Sequence, residues 1–474
     1  MVESREALNP IRSRKHRLSL QMRRSSPPLR ELVMPMAPQD PLKHKASRIG
    51  GLRSRVHLSS GLLRTVVHTA GVNVSLVIFS AGAGLIMARE LGPSVRGDYA
   101  AAVAWFGVTL ILGELGQTAA TTYFVARQPD RARDYVATSR LVMTVAGGTA
   151  ATAGILLAPT IGHHRPDLVF SYQVLFAACF PSFLGASYTF ALQARNLARW
   201  NLLRLLQPGP YFAIVVVLQL LDSLTLRSAT ISLAATVTAQ SAIGYLLCRR
   251  EGLTRGTTDR RLVKPLLGYG ASQLAATVPT TINARLDQLI LSQTVRSAAL
   301  GQYAVAVTLT SLAVPVVSAI GNVAFPRMAA MLKLGNRARR LQRIAIGSSF
   351  AVASLMMVLI ATTAAWTVPF LFGSGFSPAV SLVWILAPGG ACLACGQVVG
   401  DLLRGRGRPL SVAVAHGVGA VVTVTLLFLL LPTYGVKGAA VASTFAYATT
   451  LVILLVAISR KDRSLAKAPQ PAKG

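Results

Sequence analysis

Four ionisable residues stand in or at the ends of stretches otherwise apolar enough to cross a membrane. Arg285 and Asp287 lie within Asn283-Ala284-Arg285-Leu286-Asp287-Gln288, and Glu114 lies within Gly113-Glu114-Leu115-Gly116-Gln117. Arg89 sits beside Glu90 at the end of a third stretch. Charges at such depth are costly and face a cavity or a partner. On a helix of 3.6 residues per turn, a spacing of two sets Arg285 and Asp287 about 200° apart. They do not share a face, so one can line a cavity while the other pairs with a neighbouring helix; the alternative is a buried structural ion pair. Glu114 suits proton or sodium coupling, a polar group of a substrate, or a hydrogen bond between packed helices.

The elements that would hold these residues are membrane helices. The chain of 474 residues is 52% hydrophobic and 14% charged, where a soluble chain carries about a quarter charged residues. A spanning helix needs roughly twenty mostly apolar residues. Such stretches recur between charged breaks as twelve spans, in order 66–88, 98–124, 136–158, 169–192, 203–222, 229–248, 265–293, 300–326, 344–371, 376–400, 409–431 and 436–458. They predict an all-α polytopic membrane protein of about 12 transmembrane helices. Proline interrupts several of them, at Pro181, Pro210, Pro279, Pro315 and Pro388. Such breaks free backbone carbonyls that can line a cavity or act as hinges.

The formal net charge of +32 suggests a nucleic-acid binder until its placement is read. Arg and Lys gather in alternate loops: Arg127, Arg131 and Arg133; Arg195 and Arg199; Arg249 to Lys264; Arg327 to Arg343; Arg404 to Arg408. The intervening loops carry few. With both termini cytoplasmic, this alternation obeys the positive-inside rule. No nucleic-acid partner is expected. The boundaries read as a basic tail over 1–64 without enough apolar surface to fold, a six-helix bundle over 65–248, a basic linker over 249–264, a second bundle over 265–459 and a tail over 460–474.

A repeat joins the two bundles. Gly97-Asp98-Tyr99 is answered by Gly301-Gln302-Tyr303 at an offset of 204. Arg131-Ala132-Arg133 is answered by Arg337-Ala338-Arg339 at 206, and Arg195 and Arg199 by Arg404 and Arg408 at 209. Three matches in order, at nearly constant offset, predict two parallel six-helix repeats around a central cavity. No Gly-Lys-Ser/Thr phosphate loop, Ser/His/Asp set or large acidic outer loop is present, so a transporter is expected rather than an enzyme. Cys392 and Cys395 form a C-x-x-C without a second pair or nearby His, so neither a metal nor a cofactor is expected, only a coupling proton or sodium ion.

With these motifs in view, the chain resembles the polysaccharide (O-antigen type) flippases of the multidrug/oligosaccharidyl-lipid/polysaccharide exporter superfamily. The resemblance rests on Arg89-Glu90-Leu91-Gly92-Pro93 with Gly97-Asp98-Tyr99, on Arg285-Leu286-Asp287-Gln288-Leu289-Ile290-Leu291 with Leu300-Gly301-Gln302-Tyr303, and on Phe325-Pro326 and Tyr434 to Ala440. It implies a V-shaped pair of bundles in the cytoplasmic membrane. It also implies alternating-access transfer of an undecaprenyl-pyrophosphate-linked oligosaccharide, with membrane lipid and other polysaccharide assembly proteins as partners. Under this resemblance Arg285, with Arg89 behind it, meets the pyrophosphate, and Asp287 and Glu114 serve ion coupling. A cation-coupled multidrug antiporter would want a more acidic cavity. A peptidoglycan-precursor flippase would usually add helices beyond twelve, and a membrane glycosyltransferase would want a large acidic loop.

Overall fold

The computed structural model describes residues 60–283, 285–330 and 335–459. The basic tail read over 1–64 therefore lies outside the described residues except for its last five, which already form helix. The tail from 460 lies wholly outside them. Among the described residues there is no strand. The helices are α1 (Ser60–Gly113), α2 (Gln117–Arg127), α3 (Ala132–Ile161), α4 (Pro166–Arg195), α5 (Leu197–Leu205), α6 (Pro208–Leu220), α7 (Leu226–Arg250), α8 (Arg260–Asn283), α9 (Leu286–Thr294), α10 (Ser297–Thr310), α11 (Ala313–Ala330), α12 (Gly335–Phe372), α13 (Ala379–Gly405) and α14 (Pro409–Ser459).

Nine segments among the described residues are long and apolar enough to cross a membrane. Two of them are pairs of spans joined without a loop. Gly92 (φ 70°) followed by Pro93 folds α1 back on itself, and Gly435 (φ 54°) does the same in α14. Only glycine takes up such positive φ at little cost. Counting those two as double crossings and adding the α8–α9 segment, which is not one of the nine, gives the expected number of about twelve crossings among the described residues. Leu156, Leu355, Trp366 and Phe428 stand largely exposed on the outside of the bundle, as side chains that face hydrocarbon do.

Several spans are broken where the sequence suggests continuity. Span two stops at Gly113 and resumes at Gln117, because Leu115 and Gly116 take positive φ. Span five breaks between Leu205 and Pro208, with Pro210 in the first turn of α6. Span seven breaks between Asn283 and Leu286, and span eight between Thr310 and Ala313, with Pro315 in the first turn of α11. Pro181, Pro279 and Pro388 instead sit within unbroken helices. Elsewhere the ends are capped in ordinary ways. Thr225 and Ser228 form a capping box on α7, and the Asn196 side chain accepts from the Arg199 amide at the start of α5.

The apolar core shows how the halves meet. At the arginine-poor face one continuous cluster joins them, with Tyr99, Tyr172 and Phe183 from the first half packed together with Leu291, Leu300 and Tyr303 from the second. At the arginine-rich face the core divides in two. One part gathers around Tyr135, Tyr188 and Leu203, the other around Met328, Val398 and Leu402. The start of α8 crosses this division: Leu262 and Leu266 belong to the first half's core, and Tyr269 stacks on Tyr123 with ring centroids 4.4 Å apart.

Candidate functional site

A cavity of about 400 Å³ lies at mid-depth, beneath the joined core of the arginine-poor face. Its walls come mostly from the first half: the second part of α1, α4, α7 and the break before α6. Apolar residues such as Phe106, Leu110 and Leu233 form much of the surface, with Ser182, Thr189, Gln207, Gln240 and Ser241 set among them. Two charged side chains line it, Glu114 and Arg285. Each comes from a helix break, where the chain departs from regular helix at membrane depth and turns toward space it can share with water.

The Glu114 break is held by close packing. A Cβ on Gly116 would come within 2.1 Å of the Gly270 carbonyl oxygen, so only glycine fits there. The Glu114 carboxylate accepts from the Thr118 hydroxyl at 3.2 Å, one turn further on. Arg285 occupies the N-cap position of α9 (φ −128°, ψ −11°) and is exposed. Its guanidinium makes no hydrogen bond or ion pair among the described residues, while its carbonyl accepts from the Leu289 amide at 3.0 Å. It is the cavity's one contribution from the second half among its described lining residues.

Asp287, two residues on, points elsewhere. It is 2% exposed and buried within the second half. Its Oδ2 accepts from the Tyr303 hydroxyl at 2.5 Å and from Ser443 Oγ at 3.2 Å, and its Oδ1 accepts from the Gln288 amide at 2.7 Å. A small void beside it is lined also by Thr310, Ser311 and Tyr447. Asp287 thus ties α9, α10 and α14 together. Arg89 is exposed beside the Gly92 kink of α1 and is not among the cavity's lining residues, while Glu90 beside it accepts from Gln219 at 3.1 Å.

The arginine-poor face is closed by the repeated Gly-x-Tyr motif. A Cβ on Gly97 would lie 1.7 Å from the Ser297 carbonyl oxygen, and one on Gly301 would lie 2.0 Å from that of Pro93. An offset of 204 relates both Gly97 to Gly301 and Pro93 to Ser297, so the contact is made twice by pseudo-symmetry. Beside it Arg165 holds Asp98 by two bonds, of 2.7 and 3.2 Å, and donates to Ser297 Oγ at 3.0 Å. Ser297 donates in turn to Asp98 at 2.5 Å.

Reading the sequence for membrane-embedded charge finds Arg285 and Glu114, which share the cavity, and Asp287, which does not. It passes over the neutral lining side chains Gln207 and Gln240. Glutamine within an apolar stretch is itself a signal, and Gln240 is partly committed, donating to the Leu203 carbonyl at the break in span five (2.9 Å). It also passes over the Asp98–Arg165–Ser297 cluster, whose members are far apart in sequence. Among the described residues no group of His, Cys, Asp and Glu has metal-binding geometry.

The family model described as polysaccharide biosynthesis protein matches residues 62–332. No curated protein matches the chain. The fold is shared with a multidrug resistance MATE family transporter of the MOP superfamily in an inward-facing conformation, at a TM-score of 0.70 and 14% identity over 84% of this chain and 100% of that one. It is shared with the lipid II flippase MurJ in an inward closed conformation, at a TM-score of 0.67 and 11% identity over 84% and 88%. An outward-facing MATE family transporter of the same superfamily gives 0.54 and 14% over 82% and 94%.

Proposed function

Because the chain belongs to the polysaccharide biosynthesis protein family, whose model spans more than half of it, we propose that it is a flippase for a lipid-linked oligosaccharide. The substrate class is an undecaprenyl-pyrophosphate-linked oligosaccharide, moved across the cytoplasmic membrane for surface polysaccharide assembly. The arginine-rich face, with both chain termini, is the cytoplasmic one, following the positive-inside rule.

The observation that carries this reading is Arg285, an unpaired guanidinium presented to a mid-membrane cavity whose other described lining is apolar or neutral save Glu114. A cation held there without a counter-ion is costly, and a pyrophosphate supplies the missing charge with oxygens that match the guanidinium fork. The hydroxyl and amide groups of Ser182, Thr189, Gln207 and Gln240 suit sugar hydroxyls. The polyprenyl chain remains in the bilayer.

The halves are joined at the arginine-poor face and divided at the other, which supports entry from the cytoplasmic leaflet, and the likeness to inward conformations agrees. Release then requires the Gly97–Gly301 contact and the Arg165 cluster to part. Arg89, exposed at that face, would meet the pyrophosphate as it leaves. Glu114, in the cavity, and Asp287, in the second half, are the carboxylates available to couple a proton or sodium ion to this cycle. Other polysaccharide assembly proteins would supply the loaded lipid and use it after transfer.

The test is binding to purified protein of a polyprenyl-pyrophosphate oligosaccharide and of its monophosphate counterpart. The pyrophosphate form should bind more tightly, and Arg285→Ala should remove that preference at least tenfold. Equal binding of both forms by wild type and variant would refute the anion site.

A further inference from the structure

The two copies of the arginine-rich turn that follow spans two and eight are treated differently by the fold. In the first half, Arg131-Ala132-Arg133 is engaged by the linker between the halves, although both arginines stay exposed there. Arg131 pairs with Asp259 at 3.0 Å, and Asp134 accepts from the Thr257 amide at 3.0 Å. Gly256 packs so closely that a Cβ on it would lie 2.0 Å from the Arg133 carbonyl oxygen. That copy is thus occupied by a segment bringing its own carboxylate.

The second copy, Arg337-Ala338-Arg339, opens α12 with Arg340 and Arg343 close behind, and all four arginines are exposed. None makes an ion pair among the described residues. At about 100° per residue, the four fall within an arc of about 160°. Ala338, Leu341 and Ala345 fall on the other side, where Ala338 and Ala345 are buried and Leu341 packs on the second half's core. The basic arc continues into the outward side of the same helix, through the exposed Ile344, Phe350, Leu355 and Val358. The guanidinium groups therefore stand directly above a surface that faces hydrocarbon, at the level of lipid head groups.

We infer that this face of α12 binds anionic phospholipid head groups, which take the place that the Asp259 linker fills in the first half. The chain has no acidic segment of its own to put there. Beyond Asp287 its only carboxylate side chains are Asp401 and Asp462, and Asp401 is already paired with Arg404 at 2.8 Å. The N-terminal 59 residues set four acids against thirteen Lys and Arg. Anionic lipid attracts juxtamembrane basic clusters through charge, and position above the acyl layer favours lipid over a soluble anion. This inference stands apart from the flippase reading, since it concerns the outer surface of α12 and not the cavity.

The test is native mass spectrometry of the full chain in detergent, titrated with phosphatidylglycerol or phosphatidylcholine. Wild type should retain several-fold more phosphatidylglycerol. The variant R337Q/R339Q/R340Q/R343Q should lose that excess, and the matching all-lysine variant should keep it, which separates charge from folding. Arg131→Gln should leave lipid retention unchanged, because the linker's Asp259 already neutralises that side chain. An equal excess in the glutamine variant would overturn the inference. Retention of polyglutamate without any phosphatidylglycerol excess would also overturn it, in favour of an acidic protein partner.

Discussion

Gly97 and Gly301 lie back to back across the seam between the two halves, each leaving no room for a side chain against the other half's backbone. A Cβ on Gly97 would fall 1.7 Å from the Ser297 oxygen and one on Gly301 2.0 Å from the Pro93 oxygen. No side-chain adjustment relieves such distances, because the obstacle is main chain. One close approach is thereby built from both copies of the repeat. At that point the arginine-poor face closes backbone against backbone, beside the Asp98–Ser297 side-chain contact.

Gly97→Ala or Gly301→Ala should therefore force the seam apart. Overpacking of this kind costs about 1–3 kcal/mol, enough to shift a two-state balance at least several-fold. Hydrogen exchange of the 93–101 and 297–305 amides should rise in both variants, and flipping should fall while the protein still inserts. Unchanged exchange would mean that the glycines do not set the closed state.

Asp98 and Ser297 touch across the same seam, at 2.5 Å. Replacing both with cysteine in a background without native cysteines should give a disulfide that locks the face shut. Transport should drop by at least tenfold and return on adding a reductant. By contrast, Asp98→Asn alone should be mild. Arg165 is about half exposed (46% of its side chain), and ion pairs that open to water contribute about 0.2–1 kcal/mol.

Asp287 is the buried counterpart of these surface contacts. Tyr303→Phe removes a donor from a carboxylate that water cannot reach, and should destabilise the protein by about 1–3 kcal/mol, read as a lower melting temperature in detergent. Ser443→Ala should cost less, its bond being the longer at 3.2 Å. If Asp287 couples an ion, Asp287→Asn should fold yet flip only down a substrate gradient. Transport by Asp287→Asn that still follows an imposed proton or sodium gradient would assign coupling elsewhere, with Glu114→Gln as the next variant to measure.

The sequence carries the helices and the repeat plainly, because each span must be apolar for its whole length and each loop must choose a side by charge. The breaks are harder to read. Pro181, Pro279 and Pro388 leave their helices unbroken, whereas Leu115 and Gly116 break theirs without any proline. There the decisive fact is the Gly270 backbone, which lies more than 150 residues away in the chain and is invisible to local pattern. The same holds for the site. Arg285 and Glu114 announce themselves as charges in apolar stretches, but their shared cavity depends on two breaks in different halves. Gln207 and Gln240 carry no charge to draw notice. The Arg165–Asp98–Ser297 cluster draws on three distant stretches of chain that only the folded chain brings together.

The most direct measurement follows a labelled polyprenyl-pyrophosphate oligosaccharide in liposomes holding the purified protein, recording exposure in the opposite leaflet over time. Wild type should expose the label, Arg285→Ala should slow exposure at least tenfold while remaining inserted and monodisperse, and Arg285→Lys should retain part of the rate. No protein-dependent exposure, together with gradient-driven movement of a cationic dye, would contradict the flippase reading and make the protein a cation exporter instead.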